Sequence, residues 1–324
     1  MTRKVDWLKG CATALVTPFT ADGALDERRV SALARRQVAG GVRLLVPCGT
    51  TGESVTMSAA ERDAVISLTV EAARGGRGER ARVIAGTGSN STAATVEQSL
   101  RARAAGADAV LVVSPYYNKP TQEGLDRHFR AVAEAIAPLP VVLYNVPGRT
   151  GSNVSAATTL RLAREVKNIV AVKEASGNFA QFMEILRERP AGFLVLSGDD
   201  ALTLPLIALG ADGLISVASN EEPKLMSALV RHALAGNWDA ARKLHYRLLP
   251  LMDVNFVESS PGPVKAAMAS MGLLEEVLRL PLVPVTEATR ARVREVLAQL
   301  GLLKKAGGKH VTGKADRVAG RTRR

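Results

Sequence analysis

The chain has 324 residues, of which 47% are hydrophobic, 23% charged and only 4% aromatic, with a net charge of +12. That composition supports a large buried core and excludes both a disordered chain and a small disulfide-stapled scaffold. No apolar run reaches the roughly 18 residues a membrane helix needs, because the greasiest region, 202–218, is broken by Pro205, Gly210, Asp212 and Gly213.

Eight short β-branched or aliphatic runs follow one another, each ending in Gly, Pro, Asn, Asp or Ser, as strand signals do. Residues 11–16 lead into Thr17-Pro-Phe, and a helical period covers 26–39. Residues 43–46 lead into Cys48-Gly-Thr-Thr, with a helix over 58–73; 82–85 lead into Gly86-Thr-Gly-Ser-Asn, with a helix over 91–105. Residues 109–113 lead into Ser114-Pro-Tyr-Tyr-Asn, with a helix over 123–137, and 141–144 lead into Asn145-Val-Pro-Gly-Arg. Residues 169–172 run into Lys173-Glu-Ala-Ser-Gly-Asn, with a helix over 179–188; 193–196 run into Ser197-Gly-Asp-Asp and 213–215 into Ser216-Val-Ala-Ser-Asn. Strand then helix, repeated eight times with continuous apolar strands, predicts an α/β fold, a parallel (β/α)8 TIM barrel. An open doubly wound sheet competes with it but would use fewer strands and a glycine-rich first turn.

Beyond the eighth strand only helical runs occur, at 237–249, 263–271 and 286–300, with Asn237 placed as an N-cap and Pro263 in a first turn. The expected organisation is a barrel over 1–236, an appended C-terminal helical region over 237–303 and a tail over 304–324. The tail holds +7 of the net charge and few large apolar residues, so a solvated, disordered extension is expected. Its charge is the sole support for a nucleic-acid partner, without interleaved aromatics or a reading module, and none is expected. The N-terminus is basic but lacks a secretory apolar core, so a cytoplasmic location and no membrane association are expected. Cys11 and Cys48 form no CxxC pair and read as buried, reduced thiols.

In such a barrel the C-terminal strand ends build the site. Lys173 directly follows an apolar run and would stand at the barrel mouth. Desolvation there lowers a lysine's proton affinity; about three units below the usual value of about 10.4 takes roughly 4 kcal/mol, and the neutral amine attacks a ketone as a Schiff-base nucleophile. The competing reading pairs Lys173 with Glu174 or another strand-end acid, although alternation turns Glu174 to the opposite face. Tyr144 ends the preceding strand and could pass a proton at the same mouth, or simply pack in the core. The loop Gly49-Thr-Thr-Gly-Glu-Ser54 offers two hydroxyls and clustered backbone N–H groups for a carboxylate, or a turn with helix caps. Arg149, in a loop shaped by Pro147 and Gly148, could hold a substrate carboxylate or face solvent. His128, His232, His245 and His310 fall in helical or tail segments, which disfavours a barrel metallohydrolase with strand-end histidines. The stretch 86–90 is too short to support a phosphate site, and Asp199-Asp200 read as caps of the following helix.

Six motifs carry a resemblance: Gly49-Thr-Thr-Gly-Glu-Ser54, Pro115-Tyr-Tyr-Asn118, Tyr144-Asn-Val-Pro147, Val172-Lys-Glu-Ala175, Ser197-Gly-Asp-Asp200, and Phe256-Val-Glu258 with Pro263-Val-Lys265. In this order and spacing the chain, from about residue 10 to 303, resembles the dihydrodipicolinate synthase (4-hydroxy-tetrahydrodipicolinate synthase) family within the pyruvate-dependent class I aldolases. The resemblance implies an imine between Lys173 and pyruvate. It also implies a proton relay of Tyr144, Thr50 and Tyr117, the last lent by a neighbouring subunit, with Thr51 and Ile215 as pyruvate contacts. Arg149 in this position resembles the synthases, where it holds the carboxylate of L-aspartate 4-semialdehyde on the route to lysine and diaminopimelate. Another pyruvate-dependent aldolase, acting on a sugar acid or 4-hydroxy-2-oxoglutarate, is the alternative. A homotetramer of two tight dimers is implied, and no metal or organic cofactor. Lysine-inhibited members carry imidazoles and an acid where this chain has Ala59, Arg62 and Ala94, although Ser54, Asn90 and Tyr116 are present. Weak or absent lysine feedback is therefore expected.

Overall fold

The eight aliphatic runs become one closed parallel barrel in the computed structural model, which describes residues 5–75 and 80–303. The strands are β1 (Gly10–Ala14), β2 (Leu44–Val46), β3 (Arg82–Gly86), β4 (Ala109–Val113), β5 (Val141–Asn145), β6 (Ile169–Glu174), β7 (Leu194–Ser197) and β8 (Gly213–Ser216). Each pairs with its successor, and β8 closes on β1 through Cys11↔Leu214 and Ala12↔Ile215. The predicted fold class is the observed one. Strand ends shift by a residue or two from expectation, and one shift matters: β6 runs through Lys173 to Glu174, so the lysine belongs to the strand instead of following it.

Alternation sorts each strand between two cores. Ala12, Leu44, Ile84, Leu111, Val142, Leu196 and Ile215 fill the barrel interior. Leu45, Val83, Val110, Val172, Val195 and Leu214 face outward into a second cluster with Val30, Val65, Phe129 and Ile185 of the surrounding helices. Both faces of every strand are covered, which is why the strands read as unbroken aliphatic runs.

The helices are α1 (Glu27–Ala39), α2 (Ala59–Arg74), α3 (Thr92–Ala104), α4 (Gln122–Ile136), α5 (Pro147–Thr150), α6 (Ala156–Glu165), α7 (Phe179–Glu188), α8 (Thr203–Ala208), α9 (Pro223–Leu234), α10 (Trp238–Val254), α11 (Gly262–Ser270) and α12 (Glu287–Gln299). Side-chain caps start most of them. Ser58 and Glu61 form a reciprocal capping box on α2, and Asp26, Ser91, Thr121, Ser155, Asn178 and Thr286 each accept a backbone N–H. The strand–helix repeat calls for helices after β5, β7 and β8, and α6, α8 and α9 supply them without bounds having been read from the sequence; α8, for one, is short and nearly all apolar, so no amphipathic period marks it, and α5 stands where a loop was expected. Asn237 occupies the N-cap position of α10 but makes no capping hydrogen bond, whereas Pro263 lies in the first turn of α11 as expected.

The C-terminal helices pack on the barrel side: Leu248, Leu251 and Met252 of α10 and Val293 of α12 belong to the same outer core cluster as the strands. Among the described residues no helix is long and apolar enough to cross a membrane. The basic tail, 304–324, and His310 within it lie outside the described residues.

Candidate active site

Loops at the C-terminal strand ends enclose a cavity of about 410 Å³, walled by Thr50 after β2, Gly88 after β3, Tyr116 after β4, Tyr144 on β5, Arg149 on α5 and Ser260 before α11. Residues that are scattered in sequence therefore meet at one barrel mouth. The C-terminal segment contributes wall as well as packing, which periodicity alone does not reveal.

Tyr144 and Lys173 face each other across β5 and β6. The pairing shifts register between Val141 and Val142, so that Val142 opposes Ala171 and Tyr144 opposes Lys173. Both side chains are buried, and the Lys173 Nζ lies 4.2 Å from the centroid of the Tyr144 ring, within the range of a cation–π contact. Tyr144 lines the cavity, and Lys173, in contact with its ring, is not among the lining residues. Among the described residues no acidic side chain forms an ion pair with it. Glu174 turns to the opposite face, fully buried, where it accepts from Asn145 Nδ2 at 2.9 and 3.1 Å, Gln181 Nε2 at 2.9 Å and the Ser176 N–H at 2.8 Å. The Lys173–Glu174 pair is thereby ruled out by geometry.

Room for the lysine depends on Gly198, which follows β7. A methyl group there would stand 2.5 Å from the Ala175 Cβ and 3.0 Å from the Lys173 Cε, closer than carbon atoms approach. The glycine was quoted only as part of a motif; its adjacency to a strand-end lysine is the signal that marks it.

Arg149 stands on a one-turn helix with Pro147 in its first turn and Gly151 closing it at φ +68°, where a loop was expected. Its Nη2 donates to the Ser260 carbonyl at 3.4 Å, and no carboxylate among the described residues pairs with it. Several guanidinium donors thus remain available toward the cavity. Of the other expected residues, Thr51 is buried beside Thr50 without joining the wall, and Ile215 is fully buried in the barrel interior with Tyr144 and Leu196. Tyr117 is the exception. It is 88% exposed with φ +73°, and it is Tyr116 that lines the cavity of its own chain.

Asp199 and Asp200 divide their work. Asp199 accepts the Leu202 N–H at 3.2 Å, but Leu202 is itself the N-cap residue of α8 and no side chain caps that helix, so the expected capping role is not seen. Asp200 does not cap: it is buried and binds the end of β8, accepting from Ser216 Oγ at 2.5 Å and the Val217 and Ala218 N–H groups at 2.9 and 3.1 Å. Burial raises its carboxyl above the usual range. Cys11 and Cys48 are free, buried thiols; burial pushes Cys48 up to about 12 and Cys11 upward too, so neither is a thiolate nucleophile at neutral pH. His128, His232 and His245 lie on α4, α9 and α10.

The loop 49–56 is tied to the C-terminal segment by charges that sequence reasoning left without a role. Glu53 forms a fully buried ion pair with Lys265 of α11 and accepts the Arg279 N–H at 3.2 Å. Arg279 also clasps Glu61 of α2 through two hydrogen bonds of 2.9 and 2.5 Å. Its guanidinium and the Lys265 ammonium lie 4.2 and 4.3 Å from the centroid of the Phe19 ring. In the sequence Glu53 and Lys265 are visible only as oppositely charged members of two motifs, Gly49-Thr-Thr-Gly-Glu-Ser54 and Pro263-Val-Lys265.

The hydrogen bonds from Arg279 pull the Glu61 carboxyl from 4.5 down to about 2. A folded-state value below the unfolded one stabilises fully above about pH 4.5 and fades as pH falls toward about 2. The full shift corresponds to roughly 3 kcal/mol; water reaches the pair, so about 1–2 kcal/mol is expected. Glu61→Gln, which keeps an acceptor for the capping box, should lose that amount in urea unfolding at pH 7. The gap from the parent should shrink by roughly half at pH 3; an unchanged gap would place its cause outside the ion pair.

With this geometry, the comparisons with known proteins are decisive. The profile of the Dihydrodipicolinate synthetase family matches residues 7–300.

This chain belongs to that family.

It is 53% identical over 300 residues to a 4-hydroxy-tetrahydrodipicolinate synthase of Koribacter versatilis, covering 92% of this chain and 98% of the relative. Among solved structures it resembles the dihydrodipicolinate synthase of Thermotoga maritima, with a TM-score of 0.87 and 45% identity over 91% of this chain and 99% of that one. It also resembles a chloride-inhibited dihydrodipicolinate synthase from Acinetobacter baumannii complexed with pyruvate, with a TM-score of 0.88 and 42% identity over 91% of this chain and 100% of that one. The fold of these relatives thus coincides with the barrel read from the residues.

Proposed function

We propose that this enzyme, a lyase of the class I aldolase type, condenses pyruvate with L-aspartate 4-semialdehyde to 4-hydroxy-tetrahydrodipicolinate, in lysine and diaminopimelate biosynthesis. The observation that carries the reading is Lys173: a buried lysine on a barrel strand, against the Tyr144 ring at the cavity edge, with no acidic partner among the described residues.

The Lys173 amine attacks C2 of pyruvate, and loss of water leaves a protonated imine. Removal of a C3 proton gives the enamine, whose C3 attacks the aldehyde carbon; the aldehyde oxygen takes up a proton. The amino group of the semialdehyde-derived part then attacks C2, forming the ring C–N bond while the bond from C2 to Lys173 breaks; proton transfer releases the lysine amine and the cyclic product, so the one water lost on imine formation is the net by-product. The imine nitrogen acts as the electron sink, so the scheme requires neither metal nor organic cofactor. Tyr144 and Thr50 share one cavity wall and move the protons, joined by Tyr117 of a neighbouring subunit. Thr51 and Ile215 contact pyruvate. Arg149 takes the semialdehyde carboxylate in bidentate fashion.

The 88% exposure of Tyr117, together with the exposed apolar Val55, Leu280 and Val283, supports assembly with a second copy. We propose a homotetramer built from two tight dimers, acting in the cytoplasm. The barrel and the appended helices are divided at 236/237, in the turn between α9 and α10. Ala59 and Ala94 offer no charge to a lysine ligand, and Arg62, which donates to the Ser54 carbonyl at 2.9 Å, repels its ammonium. Initial rates should hold in sub-millimolar lysine; half-inhibition there would overturn this expectation.

The deciding assay offers aspartate semialdehyde, N-acetylmannosamine and glyceraldehyde side by side and follows pyruvate consumption by the purified protein. Preference for the semialdehyde is expected. Preference for a sugar aldehyde would keep the Lys173 chemistry and change the pathway.

A further inference from the structure

Thr50 is carried by a loop with little local support. Its internal backbone bonds are turns, Gly52 N to Gly49 O and Glu53 N to Thr50 O, each 3.1 Å. Cys48 and Glu53 hold left-handed conformations at φ +58° and +52°, which non-glycine residues keep only when the surroundings impose them. Gly86 must lack a side chain for the loop to lie where it does, because a Cβ there would come within 2.2 Å of the Cys48 carbonyl oxygen.

Thr17 Oγ1 donates to the Gly52 carbonyl at 2.7 Å and Arg62 to the Ser54 carbonyl at 2.9 Å, and the C-terminal segment restrains the loop through Arg279, which donates to the Thr56 carbonyl at 3.1 Å, and through Glu53. The Glu53 carboxylate meets the Lys265 ammonium with neither side chain exposed, and receives the Arg279 N–H from 226 positions away. Lys265 in turn donates to the Val277 carbonyl at 2.8 Å and packs on Phe19. Burial lowers the proton affinity of Lys265 and the Glu53 charge opposes that shift. As a stability device the pair is a poor choice, since well-packed apolar residues of similar volume usually do as well or better. As a register device it is effective, because an ion pair shut away from water has one low-energy geometry.

We propose that Glu53 and Lys265 are positioning residues: their ion pair lets the C-terminal segment fix the 49–56 loop and, through it, the Thr50 hydroxyl in the cavity. This rests on the reading of the cavity as the site of condensation. Glu53 borders the cavity beside Thr50, but its carboxylate is taken up by Lys265 and the Arg279 N–H, so the pair acts on the reaction through Thr50.

The test is a double-mutant cycle on kcat between Thr50→Val and the neutral pair Glu53→Gln/Lys265→Met, which leaves no uncompensated buried charge and so retains the fold. Circular dichroism and thermal unfolding confirm folding, and Glu53→Asp, which keeps both charges and shortens the reach to Lys265, is measured alongside as a milder variant. The neutral pair should reduce kcat about 10- to 100-fold, the scale set by a displacement of about 1 Å in a catalytic group. Adding it to Thr50→Val should cost no more than about twofold further, because both changes remove the same function. A wild-type kcat in the folded neutral-pair variant would overturn the proposal, as would losses that multiply. Failure of the underlying reading looks different: the unmodified protein would then trap no pyruvate on Lys173 under borohydride, and the inference would fall with it.

Discussion

Lys173→Met is expected to abolish condensation, lowering turnover by about 10⁴-fold or more, as removal of a covalent nucleophile does. Methionine matches the lysine stem in length and flexibility and removes a buried amino group that lacks an acidic partner among the described residues. The variant should therefore fold as well as the parent or better, since burying a polar group without a full set of partners costs stability. That separation of stability from activity is the signature of a residue kept for chemistry. Borohydride reduction in the presence of pyruvate should trap an adduct on the parent protein, located at Lys173 by peptide mass spectrometry, and none on the variant. Residual turnover above about one per cent, or an adduct on another lysine, would reject the imine route through this residue.

Arg149→Ala carries the second largest effect. The guanidinium lies in the cavity wall, held by a single long hydrogen bond to Ser260, so truncation disturbs little besides ligand contacts. Removing one partner of a desolvated charge pair costs about 2–5 kcal/mol, which predicts a loss of about 10²- to 10³-fold in kcat/KM for aspartate semialdehyde. Trapping of pyruvate on Lys173 should be nearly unchanged, because the imine forms before the aldehyde binds. Arg149→Lys should recover only part of the loss, since an ammonium lacks the planar fork that grips a carboxylate. An equal decline of pyruvate trapping and aldehyde use would make Arg149 a structural residue of α5.

Much of this was legible in the chain itself. The aliphatic runs named all eight strands because each strand is covered on both faces, and a lysine closing such a run stands out against the rule that charges avoid cores. Helices α6 and α9 were implied by the strand–helix repeat but drew no bounds from the sequence, and α5 was hidden in a Pro-Gly turn of four residues.

By itself, then, the sequence determined the barrel, the strand-end position of Lys173 and Tyr144, and the family motifs, since these depend on local periodicity and residue type. Which faces meet was decided only in the tertiary structure. The register shift between β5 and β6 sets Tyr144 opposite Lys173, and a one-residue slip would have turned one of them to the other face. The same holds for Glu53 and Lys265, whose opposite charges are visible in the sequence but whose union is not. Closing a loop of that length adds nothing that local pattern can record, so the pair exists only where the folded barrel brings α11 over the end of β2.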